Sequence, residues 1–274
     1  MKGVRSQESE GGKDYPQIGR IDRRESETPT SSGARFGVLT FAAFILTPDF
    51  CLLTPFLPPP VLIGQLFAEA PLYAILDPAV RPDLPPGTVL EALLRAGVKV
   101  IQYRHKERFR RLHFEQCASL ARRTHELGGV LVVNDRADVA ELCGADGVHL
   151  GQEDLPPEKA RRFLGEGRLI GYSTHNLDQA RRAASMPVDY IAIGPVFATT
   201  TKKDPDPVVG LTIVSQVRAL TNKPLVAIGG ITMENAPSVL AAGADAVAVV
   251  RDVLAAPDIE ERAREFLKVL TTRS

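Results

Sequence analysis

The sequence predicts an α/β protein, a single (β/α)8 barrel behind an amino-terminal extension of low order. Three observations predict it. Eight short apolar runs alternate with eight amphipathic stretches from Leu72 onward, the period of strand and helix in a parallel barrel of ~200 residues or more. Gly97, Gly129, Gly144 and Gly243 each stand where a helical stretch hands over to the next run, as C-terminal caps do. Polar and charged residues gather directly behind the runs, at the strand ends where such barrels keep their chemistry. A doubly wound open sheet is disfavoured, because no GxGxxG follows the first run.

Composition sets the outer bounds. With 274 residues, 44% of them apolar, the chain can bury a full core. Its 33 basic and 33 acidic residues leave no net charge, so nothing favours a nucleic-acid partner, and anionic ligands must be held by locally placed groups. The cysteines Cys51, Cys117 and Cys143 are odd in number and form no CxxC pair, which fits a reducing cytoplasm and offers no zinc site. Five histidines without HExxH spacing argue against a histidine-rich metal centre.

Residues 1–68 are expected to form a low-order extension, with the catalytic barrel over 69–274. The first 35 residues or so are polar, charged and rich in Gly and Ser, the composition of a disordered segment. From Phe36 to Ala68 the chain turns apolar, but the uninterrupted run at Phe36–Leu46 is shorter than the ~20 residues a bilayer requires. Pro48, Pro55, Pro58, Pro59 and Pro60 prevent its continuation as one helix. A signal peptide also fits poorly, because mixed charge precedes the run and no small-residue cleavage site follows. A start site misassigned upstream would account for the whole segment.

The predicted strands are Leu72–Leu76, Val98–Gln102, Val130–Val133, Gly147–Leu150, Leu169–Tyr172, Tyr190–Ile193, Leu225–Ile228 and Ala246–Val250. Between and after them lie helices over Val89–Ala96, His113–Leu127, Ala137–Cys143, Pro157–Phe163, Leu177–Ala184, Leu211–Leu220, Glu234–Ala242 and Ile259–Leu270. After the second strand, alternation puts Gln102, Arg104 and Lys106 on the face that Val100 continues inward. An amide, a guanidinium and an ammonium together suit a diphosphate, with Arg as the bidentate fork and Lys as a point charge. Alternating polar residues on a solvated face are the plainer alternative.

The third and fourth runs end in Asn134-Asp135 and in Gln152-Glu153-Asp154. On neighbouring parallel strands Asp135 and Asp154 would share one mouth, and two carboxylates held that close call for a cation, with Mg²⁺ the first choice. Alternatively, each caps the helix that follows it. Ser173 at the fifth strand end either lines the site or caps the next helix, and His175 at a helix start reads as structural. Behind the sixth strand, Thr199, Thr200, Thr201, Lys202 and Lys203 form a loop too long for a simple connector, suited to an anion. Gly229 and Gly230 after strand seven and the Val250-Arg251 turn after strand eight occupy the usual phosphate position of these barrels. Two anion sites on one mouth, one for a diphosphate with a metal and one for a monophosphate, describe a transferase that joins two phosphorylated small molecules.

In these segments the chain resembles the thiamine phosphate synthase family. The resemblance rests on Leu72–Ile75, Gln102–Lys106, Val133–Arg136, Ala145–Leu155, Gly194–Phe197 with Thr199–Lys203, and Ile228–Ile231, in family order. It implies condensation of 4-amino-2-methyl-5-hydroxymethylpyrimidine diphosphate with 4-methyl-5-(2-hydroxyethyl)thiazole phosphate, or its carboxylated form. The products are thiamine monophosphate and diphosphate, reached through a dissociative pyrimidine carbocation. It also implies Mg²⁺ on Asp135 and Asp154, and contacts from Gln102, Arg104, Lys106, Asn134 and Lys202 to the pyrimidine diphosphate with Ser173 beside them; Tyr103 and His105 are expected among the substrate-binding residues. Arg104, Lys106, Ser173 and Lys202 would carry the chemistry. Thr199, Thr200, Thr201, Gly230, Val250 and Arg251 would hold the thiazole phosphate. The resemblance further implies a homo-oligomer; a cytoplasmic setting and no nucleic-acid partner follow from the cysteines and the charge balance, and a membrane partner is disfavoured. Two residues depart from the family pattern: Arg251, where serine is common, and His105, where an acid is common. The alternatives are the related thiazole tautomerase, which lacks the metal carboxylates and the diphosphate clamp, and a noncatalytic phosphate-ligand sensor.

Overall fold

The computed structural model describes residues 62–199 and 206–272. In chain order the elements are α1 (Ile63–Glu69), β1 (Leu72–Leu76), α2 (Pro86–Arg95), β2 (Val100–Tyr103), α3 (Arg111–Glu126), β3 (Val130–Asn134), α4 (Ala137–Leu142), β4 (Gly147–Leu150) and α5 (Pro157–Leu164). They continue as β5 (Leu169–Thr174), α6 (Leu177–Ala184), β6 (Tyr190–Ile193), α7 (Gly210–Leu220), β7 (Leu225–Ile228), α8 (Ala236–Ala241), β8 (Ala246–Val249), α9 (Arg251–Leu254) and α10 (Ile259–Thr271). The eight strands pair in parallel in sequence order, and β8 closes onto β1 through Leu72–Val247 and Ala74–Val249. The barrel that the sequence predicts is present.

Strand alternation sorts the apolar residues into two cores. Tyr73, Ile75, Val100, Val132, Tyr190, Val226, Ala246 and Ala248 fill the barrel interior. Leu72, Ala74, Leu76, Ile101, Tyr103, Leu131 and Val133 face outward into the helical layer. The same parity sends Gln102 inward and Tyr103 outward, and the Tyr103 hydroxyl donates to Gln116 Oε1 at 2.7 Å. Tyr103, expected among the substrate contacts, therefore packs under α3.

Helix starts follow local chemistry. Pro86 and Pro157 sit at the first turns of α2 and α5, where a missing N–H costs nothing. Asn176 and Asp258 cap α6 and α10 through side-chain oxygens that accept from Gln179 N and Glu261 N. At the far end of α2, Val98 N reaches Leu93 O while Gly97 N reaches Leu94 O, the paired closure that requires a left-handed residue at Gly97, φ 101°. The equivalent left-handed position after α3 is Gly128 (φ 70°), one residue before the glycine the sequence singled out; Gly129 follows it and makes the closing bond of wider sequence span, from its N to Thr124 O.

Two short helices escaped the sequence pattern. Helix α1 falls within the segment expected to be of low order, yet Ile63 and Phe67 are buried in the barrel interior core. Phe67 meets the rings of Tyr73 and Tyr190 with centroids 6.1 and 6.2 Å away. Helix α9 follows β8 directly and begins at Arg251. None of the described helices is long and apolar enough to cross a membrane.

Candidate active site

One cavity of about 920 Å³ opens at the carboxyl ends of the strands. Among its lining residues are Gln102, Arg104, Lys106, Asn134, Asp135, Asp154, Ser173, Thr199, Gly230, Val250 and Arg251. The positions picked out along some 150 residues of sequence thus meet around one space, within the usual size of a small-molecule site. Thr200, Thr201 and Lys202 lie outside the described residues. His105 stands apart from the cavity lining, its ring 3.8 Å from that of His113 and edge-on to Phe109. Its place among the substrate contacts is replaced by this aromatic cluster: parity turns it, like Tyr103, away from the mouth.

The acid pair is built by two strand ends. Asp135 takes a left-handed backbone, φ 64°, which an aspartate tolerates better than most residues. The turn is held by Asp135 N donating to His149 O at 2.8 Å and by Arg136 N donating to Asn134 O at 2.8 Å. Helix α4 starts at Ala137 behind Arg136, and α5 behind Pro156, both without a side-chain cap, so neither aspartate is spent on a helix end. Asp154 Oδ2 instead accepts from Gly151 N at 2.7 Å. Burial raises the Asp154 carboxyl above its ordinary range; Gly151 N–H opposes this, while the Asp135 carboxylate within hydrogen-bonding reach adds to it.

The cations stand beside this pair. Lys106 Nζ lies 2.6 Å from Asp135 Oδ2, and Arg104 Nη1 donates to the buried carboxylate of Asp77, at the end of β1. Asn134 Nδ2 is buried with no hydrogen-bond partner, a donor left open at the cavity wall, since buried donors without partners are costly. Ser173 belongs to β5 and caps nothing; its Oγ lies 2.8 Å from His149 Nε2. His149 is buried and its imidazole is pushed down to about 4 by desolvation, so it is neutral at pH 7.

Across the mouth, the loops after β6 and β7 are zipped together by Val196 N to Ile228 O and Phe197 N to Gly229 O. Gly230 has φ 62°, and a Cβ there would lie 2.3 Å from Ala198 O. Only glycine fits this approach. Asn235 Nδ2 donates to Gly230 O at 3.0 Å, which fixes the turn facing the start of α9. Arg251 is exposed at the rim of the cavity.

A family model described as thiamine monophosphate synthase matches residues 72–253, two thirds of the chain. The chain belongs to the thiamine monophosphate synthase family. Thiamine-phosphate synthase from Koribacter versatilis is 48% identical over 203 residues, covering 73% of this chain and 95% of that one. The protein of the same name from Pelotomaculum thermopropionicum is 44% identical over 185 residues, covering 68% and 85%. The structure of thiamine phosphate pyrophosphorylase from Pyrococcus furiosus matches with TM-score 0.68 and 34% identity, over 75% of this chain and 97% of that chain. The protein is an enzyme, a transferase of thiamine biosynthesis.

Magnesium use by this synthase family can be tested against the donors present. Among the described residues no group of three or more His, Cys, Asp or Glu side chains could hold a metal. Asp135 and Asp154 are two hard oxygen donors in mutual repulsion, and Mg²⁺ is commonly bound by one or two carboxylates, with waters and substrate phosphates completing the shell. The donor set fits the ion.

Sequence reasoning passed over Asp77, Tyr73, His149 and Tyr190. The signal for Asp77 was present, an acid directly behind the first apolar run, as at Asn134-Asp135. Tyr73 and Tyr190 stand inside predicted strands, and only the closed barrel brings their hydroxyls together at 2.9 Å.

Proposed function

We propose that the enzyme condenses a hydroxymethylpyrimidine diphosphate with hydroxyethylthiazole phosphate, or its carboxylated form, to give thiamine monophosphate and diphosphate. The observation that carries this reading is that Arg104 and Lys106, the acid pair Asp135 and Asp154, and the Gly229-Gly230 turn share one cavity. Gln102, Arg104, Lys106, Asn134 and Lys202 hold the pyrimidine diphosphate, and Ser173 lies beside them. Thr199, Thr200, Thr201, Gly230 and the backbone at Val250 and Arg251 take the thiazole phosphate.

Asp135 and Asp154 would hold Mg²⁺, which when bound supplies positive charge against the leaving diphosphate. The rest follows from the protein's own groups. The methylene C–O bond breaks with its electron pair going to the diphosphate, whose charge Arg104 and Lys106 stabilise and whose oxygens Asn134 Nδ2 is free to meet. The cation left on the pyrimidine methylene is stabilised by its own ring amine. The thiazole nitrogen supplies the electron pair of the new C–N bond, so no proton has to be removed to make it. A neutral, hydrogen-bonded His149 suits a site that needs no general base. Catalysis is then charge stabilisation and the positioning of two substrates.

The acid pair and the Arg104–Lys106 clamp favour the synthase over the tautomerase or a sensor, neither of which has use for them. Three cysteines, an odd number with no CxxC pair, support a reducing, cytoplasmic setting. Incubation with both substrates and Mg²⁺, followed by mass spectrometry, should show thiamine monophosphate. Tautomerisation or simple binding of the thiazole phosphate without that product would overturn the reading.

A further inference from the structure

A chain of hydrogen bonds crosses the barrel interior at the floor of the cavity. Gln102 Nε2 donates to Tyr73 Oη at 2.9 Å, and Tyr73 Oη lies 2.9 Å from Tyr190 Oη. Tyr190 Oη lies 3.0 Å from His149 Nδ1, and His149 Nε2 lies 2.8 Å from Ser173 Oγ. Gln102, Tyr73, Tyr190 and His149 are all buried. Of its five members Gln102, Tyr73, His149 and Ser173 line the cavity and Tyr190 does not; the chain links β2, β1, β6, β4 and β5.

Gly171 makes the crossing possible. It lies in register between His149 on β4 and Tyr190 on β6. A Cβ at Gly171 would stand 2.0 Å from Tyr190 Cζ and 2.3 Å from its hydroxyl oxygen. With no side chain there, the Tyr190 ring lies over the strand and stacks on the His149 imidazole at 5.5 Å between centroids.

The chain has a direction. Burial holds both phenols protonated, so each hydroxyl has one proton to place. The Gln102 amide N–H occupies Tyr73 as a donor, and Tyr73 must then give its own proton to Tyr190, the acceptor beside it. Tyr190 in turn gives its proton to His149 Nδ1. A neutral imidazole has one N–H, now confined to Nε2, which donates to Ser173 Oγ. The Ser173 proton is therefore released toward the cavity. With Gln102 Nε2 facing Tyr73, the reverse order would leave the Tyr73 proton buried without an acceptor, at a cost of ~1–3 kcal/mol; it would require the Gln102 amide to turn and present Oε1 instead.

We infer that this relay makes Tyr73, Tyr190 and His149 positioning residues that commit the Ser173 hydroxyl to donate into the cavity, toward an anionic oxygen. Serine then presents its proton to the ligand, and because His149 Nε2 donates to its oxygen no base stands beside it to make it a nucleophile. The inference deepens the proposed role of Ser173 beside the pyrimidine diphosphate and rests on that reading for its kinetic consequence.

Two measurements test it separately. In protein labelled with ¹⁵N-histidine, long-range ¹⁵N–¹H correlation at pH 7 reads the His149 tautomer, with the signal assigned by its loss in His149→Gln. The relay requires a proton on Nε2 and a bare Nδ1; a proton on Nδ1 overturns it, whatever the enzyme turns over. In steady-state kinetics, Tyr190→Phe should raise KM for the pyrimidine diphosphate about tenfold or more, the worth of one hydrogen bond to a charged group, with KM for the thiazole phosphate within about twofold. Should Tyr190→Phe not fold, Tyr73→Phe removes the upstream link and carries the same expectation. The Nε2 tautomer with unchanged KM would leave the hydrogen-bond chain in place and overturn its positioning role. Absence of synthase turnover in the wild type would count against the proposed function while the tautomer still decided the relay.

Discussion

Arg104 of the proposed clamp is anchored by Asp77. Their strands are neighbours, with Leu76 registered against Tyr103 and Arg104 N donating to Leu76 O at 3.0 Å. Asp77 is only 5% exposed, so its carboxylate holds the guanidinium in one orientation at the mouth. Asp77→Asn weakens that anchor without emptying the space. The expected result is a rise of about tenfold in KM for the pyrimidine diphosphate, with a thermal midpoint close to wild type. An unchanged KM would mean that Arg104 needs no anchor to serve the site.

Asp135 and Asp154 are expected to be required for metal-dependent turnover and dispensable for folding. Both line the cavity mouth outside the apolar cores. Asp135→Ala and Asp154→Ala should each lower Mg²⁺-dependent turnover by roughly 100-fold or more, with circular dichroism unchanged. Activity within about threefold of wild type would contradict the metal assignment.

His149 makes stability depend on pH. Its imidazole, buried and pushed down to about 4, refuses a proton that the unfolded chain binds below about 6.5. Between those values the unfolded state carries more protons, so stability falls as pH is lowered, by about 3 kcal/mol in all. Urea unfolding at pH 7 and pH 4.5, without metal or substrate, should show this loss in the wild type and a smaller one in His149→Gln. Equal losses in the two proteins would assign the effect elsewhere.

Phe67 ties α1 to the barrel floor. It is fully buried against Tyr73 and Tyr190, so Phe67→Ala should cost about 3–5 kcal/mol, measured by denaturant unfolding. A loss under about 1 kcal/mol would show that α1 does not close the interior.

Strand order, the barrel and the cavity-facing positions were legible because each rests on local pattern. Period-two alternation alone sends Gln102 and Arg104 toward the mouth, and the same rule, applied one residue further, sends Tyr103 and His105 away from it. The resemblance had carried those two residues into the substrate contacts as a block, and parity separates them. The helix at Ile63–Glu69 was hidden because its seven residues follow a proline-rich apolar stretch and are too few to show a helical period. Asp77 was passed over because the arginine it holds lies behind the next strand. Least visible was the Tyr73–Tyr190 contact, which joins residues 117 positions apart and exists only once β8 closes onto β1. Thr200, Thr201 and Lys202 remain expectations of the sequence, outside the described residues.

The most direct test of the central claim is diphosphate release by the purified protein given the pyrimidine diphosphate and the thiazole phosphate, together and singly, with and without Mg²⁺. The account predicts release only when both substrates and the metal are present, in step with thiamine monophosphate. No release, with the thiazole phosphate still bound, would contradict it.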